Sequence, residues 1–205
     1  PGGWIYGAQG LFNFSKVRRP GGKLFADGQK EVKFDLCKLG RFQKDGSLFE
    51  AVSGGPNNIW GFVQKNDGEV FLQEANDQGI PVAEYLRGTH YSSGRKNNKL
   101  KTYAPQIPRS LNGNQMGGTG LSGIAMTEDR ASAFNTPFGD AENVFFIANP
   151  IMNKIQVITS KRGERGHHGY TKQADFLSTT DNWFRPVAAH LGPDGCLYVV
   201  DWYNK

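Results

Sequence analysis

The chain has 205 residues and a formal net charge of +5, from 24 Lys and Arg against 19 Asp and Glu. Its 27 glycines and 12% aromatic residues argue against a coiled coil, a disordered chain or a helical bundle. No apolar run approaches the ~18 residues that a membrane helix needs. The two cysteines, Cys37 and Cys196, form one bridge at most, and they leave both the disulfide and the compartment open.

A repeated strand pattern is the main structural signal. Segments that begin at Trp4, Val70, Val144 and Leu197 each run through apolar or alternating residues and end on a small residue followed by a polar one. The last three follow another short strand, at 58–63, 121–126 and 184–189. Asp-Gly pairs such as 67–68 and 194–195 join two of these strand pairs, and Asp-Gly between apolar alternations is typical of a tight hairpin. The pattern predicts an antiparallel all-β chain.

The repeat also predicts an architecture. Units of short strands are typical of a β-propeller, which is built from four-stranded antiparallel blades. The repeated segments start 66, 74 and 53 residues apart, and ordinary blades take ~40–50 residues, so insertions are expected. We interpret the segment at Trp4 as the second strand of a blade. Residues 1–205 then form a propeller segment, an incomplete arc of about three to four blades from a larger chain.

In a propeller, the loops before first strands and after second strands share one face. That face collects amides, acids and tryptophans, which suit a sugar or another polyhydroxylated small molecule because aromatic faces stack and amides orient hydroxyls. The predicted binding residues are Asn57, Asn58, Trp60, Glu74, Asn76, Asp77, Asn149, Trp183, Asp201, Trp202 and Asn204. The alternative is that Asn and Asp at strand ends only form turns with their own backbone.

Two residues are candidates for catalysis. His90 could act as a general base, although a solvated loop histidine is the alternative, and Arg185 could stabilise developing negative charge. His167 and His168 lie in a stretch whose composition is typical of a mobile loop without a third ligand at useful spacing, so the metal content stays open. Basic residues fall in separate loops, so no nucleic-acid partner is expected. Neither cysteine opens a Cys-x-x-Cys-His motif, so this segment binds no covalent haem.

Several segments resemble those of a known family in their residues and in their order along the chain. They are SGGPNNIWGF at 53–62, GGTGLSG at 117–123, DNWFRPV at 181–187 and GPDGCLYVVDWYNK at 192–205. The chain resembles the propeller region of large planctomycete-type proteins that are labelled membrane-bound dehydrogenases or haem-binding CxxCH proteins. These proteins are similar to soluble quinoprotein sugar and sorbosone dehydrogenases.

The resemblance implies an exported oxidoreductase, periplasmic or extracellular, that acts on a sugar or related alcohol. It also implies pyrroloquinoline quinone and calcium as cofactors, with electrons passed to a haem module elsewhere in the parent chain. His90 and Arg185 are the nearest matches to the base and the arginine beside the quinone. The alternatives are a non-catalytic propeller that binds carbohydrate or a protein partner, and, further off, a hydrolase that uses a channel acid.

Overall fold

The computed structural model describes residues 3–10, 13–35, 38–54, 58–76, 81–85, 111, 115–127 and 136–203. Their secondary structure is β-strands and two three-residue 3-10 turns, Pro20–Gly22 and Thr136–Phe138. The strands are β1 (Trp4–Gln9), β2 (Phe14–Val17), β3 (Val32–Asp35), β4 (Lys38–Gln43), β5 (Phe49–Gly54), β6 (Ile59–Gln64), β7 (Val70–Glu74), β8 (Val82–Tyr85), β9 (Ser122–Thr127), β10 (Asn143–Asn149), β11 (Lys154–Arg162), β12 (His168–Lys172), β13 (Leu177–Ser178), β14 (Pro186–Leu191) and β15 (Leu197–Asp201).

All strand pairs among the described residues are antiparallel, which confirms the predicted fold class. We number four sheets along the chain: the first is β1-β4-β5, the second β6-β7-β8, the third β9 to β13 and the fourth β14-β15. A separate ribbon, β2-β3, packs against the first sheet through an edge-to-face contact between Phe34 and Phe49. Neither described helical turn is long enough to cross a membrane.

Consecutive sheets share their hydrophobic cores. Leu39 and Val52 of the first sheet pack with Leu72 of the second. Phe71 of the second sheet packs with Phe145 of the third. A further cluster joins Phe146 and Val157 of the third sheet to Ala189, Leu197 and Val199 of the fourth. Apolar burial therefore fixes the order of the four sheets.

The first strands of the four sheets also touch one another in chain order, β1 with β6, β6 with β9 and β9 with β14. Small residues allow this close approach. A Cβ on Gly61 would lie 3.0 Å from Ile124 Cγ2, and a Cβ on Gly123 would lie 2.8 Å from Ala188 Cα. The four first strands therefore form one contiguous surface, which we call the inner surface.

A bulge recurs at the second residue of three first strands. In β6 Trp60 has no opposite residue, because Ile59 pairs with Glu74 while Gly61 pairs with Gln73. Gly123 in β9 and Val187 in β14 are skipped in the same way. A bulge re-aims the chain at a strand end, and the three sheets share it at the same position of the first strand.

The structure corrects the predicted place of the opening segment. Trp4–Gln9 pairs with β4 at the edge of its sheet and contacts β6, so it takes the position of a first strand and not of a second. The segments at Val70, Val144 and Leu197 are second strands, as predicted. The alternation of Trp4–Gln9 fits either position, because periodicity reports exposed and buried faces and not order within a sheet.

Candidate functional site

Glu74, at the end of β7, lies 1% exposed beneath the predicted ligand face. Its Oε2 accepts the main-chain N–H of Asn58 at 2.6 Å. Its Oε1 accepts the main-chain N–H and the side-chain amide of Asn76, both at 3.0 Å. Thr119 extends the network by donating its hydroxyl to Asn76 Oδ1 at 2.8 Å. The structure thus brings Asn58, Glu74 and Asn76 together in one hydrogen-bonded group.

Burial changes the acidity of Glu74. Loss of hydration disfavours the charged form and raises the pKa of Glu74 from 4.5 to about 7, while the N–H groups of Asn58 and Asn76 pull it down. A carboxyl group with such a pKa could exchange a proton near neutral pH. Its oxygens, however, already accept the N–H groups that hold the strand end in place.

Asp201, at the end of β15, repeats this arrangement in the fourth sheet. Its Oδ1 accepts the main-chain N–H of Arg185 at 2.7 Å and that of Tyr203 at 3.0 Å. Trp202 N–H donates to the Arg185 carbonyl, as Ala75 N–H donates to that of Asn58. Both acids therefore fasten the residue before a first strand to the end of a second strand, so the turn-forming alternative describes a real part of their role.

An open groove of about 610 Å³ runs along the inner surface between β1 and β6. Trp60 projects from the bulge into this groove and is 60% exposed, with Asn13 and the half-buried Asn58 beside it. Gly10 leaves room there, since a Cβ would lie 3.1 Å from Asn58 Oδ1. An exposed indole between two amides is an arrangement that can stack on a sugar ring and orient its hydroxyls.

A second groove, of about 440 Å³, continues past Trp60 along β9 and β14. It is lined by Trp60, Ser122, Gly123, Val187 and His190, among others. Trp60 therefore stands between two adjoining recesses on the contiguous inner surface. The sequence analysis identified Trp60 but missed Asn13 and Gly10, because β1 was assigned to the wrong position in its sheet.

The other described candidates lie elsewhere or serve the fold. Asn149 is fully buried and donates to the Met116 carbonyl at 2.7 Å and to Gln156 Oε1 at 2.8 Å. Trp183 and Trp202 are exposed near the end of the fourth sheet, where Trp183 contacts the ring of Tyr203. The Arg185 guanidinium donates to the Phe184 carbonyl at 3.0 Å. None of these four residues lines either groove.

Four predicted site residues fall outside the residues that the structure describes. They are His90, Asn57, Asp77 and Asn204. The catalytic role of His90 accordingly stays a prediction. Cys37 also lies outside the described residues, so the question of its pairing with the exposed Cys196 is unchanged.

One group of buried ionisable side chains was missed by sequence reasoning. His168 begins β12 and its side chain is fully buried, which corrects the expectation that it belongs to a mobile loop. It faces Glu69 and Glu84 from the second sheet. No spacing signal could have found this group, because Glu69 and His168 meet only when the second and third sheets pack together.

Comparison with known proteins gives the fold and a family. A solved glucose dehydrogenase is 20% identical over 97% of this chain and 55% of its own length, with a TM-score of 0.55. Another glucose dehydrogenase is 18% identical over 80% of this chain and 51% of its own length, with a TM-score of 0.45. The chain thus spans about half the length of these enzymes and shares the fold of part of the first. None of the curated proteins matches it.

A family model matches the chain over residues 1–205, its whole length. The description of that family records no function. The chain belongs to the family described as Domain of unknown function (DUF7133).

Proposed function

We propose that the chain is part of a β-propeller whose inner groove binds a sugar or related alcohol, in an oxidoreductase that acts on this ligand. The observation that carries the proposal is Trp60. It stands at a strand bulge with its indole exposed, in a groove of about 610 Å³ that also holds the amides of Asn13 and Asn58. The likeness of the fold to part of a glucose dehydrogenase supports the choice of ligand class.

The propeller architecture is supported by the order of the sheets. Among the described residues the four sheets share cores only with their neighbours, and their first strands contact one another in sequence. Sheets arranged in this way around a common axis leave only short edges, as in propellers. We propose further strands from the parent chain to complete the ring.

The described linings of the two grooves lack the charged groups expected around the quinone and calcium that the resemblance implies. Among the described residues lining the two grooves there is no Lys or Arg to pair with a polyanionic quinone. The same described linings also contain no Asp or Glu to serve as a calcium ligand. We assign no step to either group, and any residues that hold them would lie outside the two described linings.

Catalysis likewise needs residues beyond the groove. The carboxyl groups of Glu74 and Asp201 accept main-chain N–H groups, and the Arg185 guanidinium points to a carbonyl. The alternative function is a non-catalytic propeller that binds carbohydrate through the same groove. His90 is the candidate base if the chain is catalytic. An exported location and a haem module in the parent chain are further proposals that rest on the sequence resemblance alone.

Isothermal titration calorimetry with glucose and with sorbitol tests the binding proposal. We expect Trp60→Ala to weaken binding about fivefold, because an aromatic contact contributes about 1 kcal/mol. Trp202→Ala is the matched control, since it removes an equally exposed indole that does not line the groove. Equal losses in the two variants, or no binding by the unmodified protein, would contradict the groove assignment.

A second measurement separates the enzyme from the binding domain. Purified protein is mixed with pyrroloquinoline quinone, Ca²⁺, the sugar and a redox dye, and the bleaching of the dye is followed. Sugar-dependent dye reduction that disappears in His90→Gln supports the oxidoreductase. Retained sugar binding without dye reduction supports the non-catalytic alternative.

A further inference from the structure

A buried group of charged side chains lies in the seam between the second and third sheets, away from the groove. Its centre is His168, whose side chain is 0% exposed. Glu69, just before β7, and Glu84, in β8, approach the ring from the second sheet with side chains 14% and 5% exposed. The group therefore joins two sheets through side chains that are largely withdrawn from water.

The distances within this group match those between ligands of a metal ion. His168 Nε2 lies 3.2 Å from Glu69 Oε1 and 3.5 Å from Glu84 Oε1. The three ligand atoms all lie within 4.8 Å of one another. Two donors at about 2.1 Å from a tetrahedral zinc ion are about 3.4 Å apart. A simple hydrogen bond from the His168 ring to one carboxylate would not require the second carboxylate to lie at a similar distance.

The far side of the imidazole is held as metal-binding histidines usually are. His168 Nδ1 lies 3.1 Å from Ser160 Oγ, and Ser160 Oγ accepts the Asn143 side-chain amide at 3.0 Å. A hydroxyl can accept the Nδ1 proton, which leaves the lone pair of Nε2 directed at the two carboxylates. Phe71 packs edge-on against the ring and fixes its plane.

A cation already neutralises this seam. Arg162 Nη2 lies 2.6 Å from Glu69 Oε1, and Arg162 Nη1 lies 3.8 Å from Glu84 Oε1. The Arg162 side chain is 42% exposed, so it can turn into solvent without burying its charge. Lys65 stays on the other oxygen of Glu69, at 3.0 Å. The guanidinium thus occupies the open side of the triangle, where it would compete with a metal ion.

We propose that His168, Glu69 and Glu84 form a binding site for a divalent transition ion of the Zn²⁺ class, and that Arg162 competes for it. One nitrogen and two carboxylate oxygens are ligands that Zn²⁺ accepts, with water completing the coordination. The ion would tie the second sheet to the third. The inference is independent of the proposed sugar groove, since the two sites share no residue.

Isothermal titration calorimetry of metal-stripped protein with ZnCl₂ tests the site, and thermal unfolding with and without ZnCl₂ measures the stabilisation. We expect one ion per chain and a melting temperature about 5–10 °C higher at a free Zn²⁺ concentration of 100 times Kd. Arg162→Gln should bind at least as tightly as the unmodified protein, because the competing cation is gone. His168→Asn and Glu84→Gln should each weaken binding at least tenfold, and Glu50→Gln, in an ion pair of the first sheet, is the matched control.

Co²⁺ supplies a readout that does not depend on stability. A four-coordinate site gives a visible absorption band on addition of CoCl₂, and this band should be lost on adding ZnCl₂ and absent in Glu84→Gln. If His168→Asn fails to fold, the Glu84→Gln and Arg162→Gln titrations still decide the outcome. No stoichiometric binding by either the unmodified protein or Arg162→Gln would overturn the proposal, as would unchanged binding in Glu84→Gln.

Discussion

The second and fourth sheets use the same hydrogen-bonding device in different surroundings. In each, an acid at the end of the second strand accepts the N–H of the residue before the first strand and the N–H two residues further along its own chain. Glu74 is 1% exposed, whereas Asp201 is exposed to solvent. The comparison shows that the same carboxylate-to-main-chain hydrogen bonds recur along this chain. Burial decides how much free energy it costs to keep the carboxyl group charged.

The third sheet keeps the bulge but lacks the acid. Ala148 stands opposite Ser122, where the other two sheets place Glu74 and Asp201. Its bulged residue is Gly123, with a φ of +68°, and a Cβ there would lie 2.8 Å from Ala188 Cα. The same distortion is thus held by a carboxyl group in two sheets and accommodated by a glycine in the third.

The largest expected effect is on the pH dependence of stability. The pKa of Glu74 is about 7 in the folded protein and 4.5 in the unfolded chain, so the folded state holds the proton more tightly. The stabilisation is fully present below pH 4.5 and is lost as pH rises through 7, a change of about 3 kcal/mol in the free energy of unfolding. Urea unfolding at intervals from pH 4.5 to pH 8 measures it.

Two variants serve as controls for that pH series. Glu74→Gln has no proton to lose at this position. Its free energy of unfolding should therefore change by about 3 kcal/mol less over this pH range than that of the unmodified protein. Asp201→Asn removes the equivalent acid from an exposed site and is the comparison for loss of a carboxyl group at a strand end. Identical curves for the unmodified protein and Glu74→Gln would show that burial does not act on Glu74 as described.

A smaller loss is expected when the glycine bulge is filled. Gly123→Ala should lower the free energy of unfolding by about 2–3 kcal/mol, because it adds an overpacked Cβ to an unfavourable backbone conformation. Gly46→Ala is matched in φ, at +67°, and has no atom within 4 Å of the new Cβ, so it should cost about 1 kcal/mol. If thermal unfolding gives equal costs for both, crowding by Ala188 is not what selects glycine.

The smallest effect is expected at the exposed acid. Asp201→Ala removes the acceptor of two N–H groups that water can reach, so the loss in chemical denaturation should be about 1 kcal/mol. Glu74→Ala, measured in parallel, leaves partly buried donors without that acceptor and should cost more. If Asp201→Ala lowers the free energy of unfolding more than Glu74→Ala does, burial does not determine the strength of this contact.

Local sequence signals were enough to predict the strands and their turns. Gly68 and Gly195 both adopt positive φ, at 97° and 78°, in the hairpins that the Asp-Gly pairs indicated. Continuous apolar runs placed β7 and β10, which are buried along their whole length, and alternation placed β15, which has one face exposed. The convergence of Asn58, Glu74 and Asn76 was also within reach, since it follows from the strand order of one sheet.

What could not be predicted depends on contacts between sheets. The place of β1 is decided by its contact with β6, and the groove beside Trp60 follows from that contact. Glu69 and His168 are 99 residues apart and meet only through packing of the second sheet on the third. Neither a propensity nor a spacing within the chain carries that information.

The sharing of cores between consecutive sheets has a consequence for cooperativity. Each sheet is stabilised by the neighbours that follow and precede it, as in linear repeat arrays, so coupling between the first and the fourth passes through the two sheets between them. A substitution that disrupts the contact between Phe71 and Phe145 would weaken the coupling between the second and third sheets, in the middle of the series. The molecule is then best regarded as a short chain of nearest-neighbour folding units.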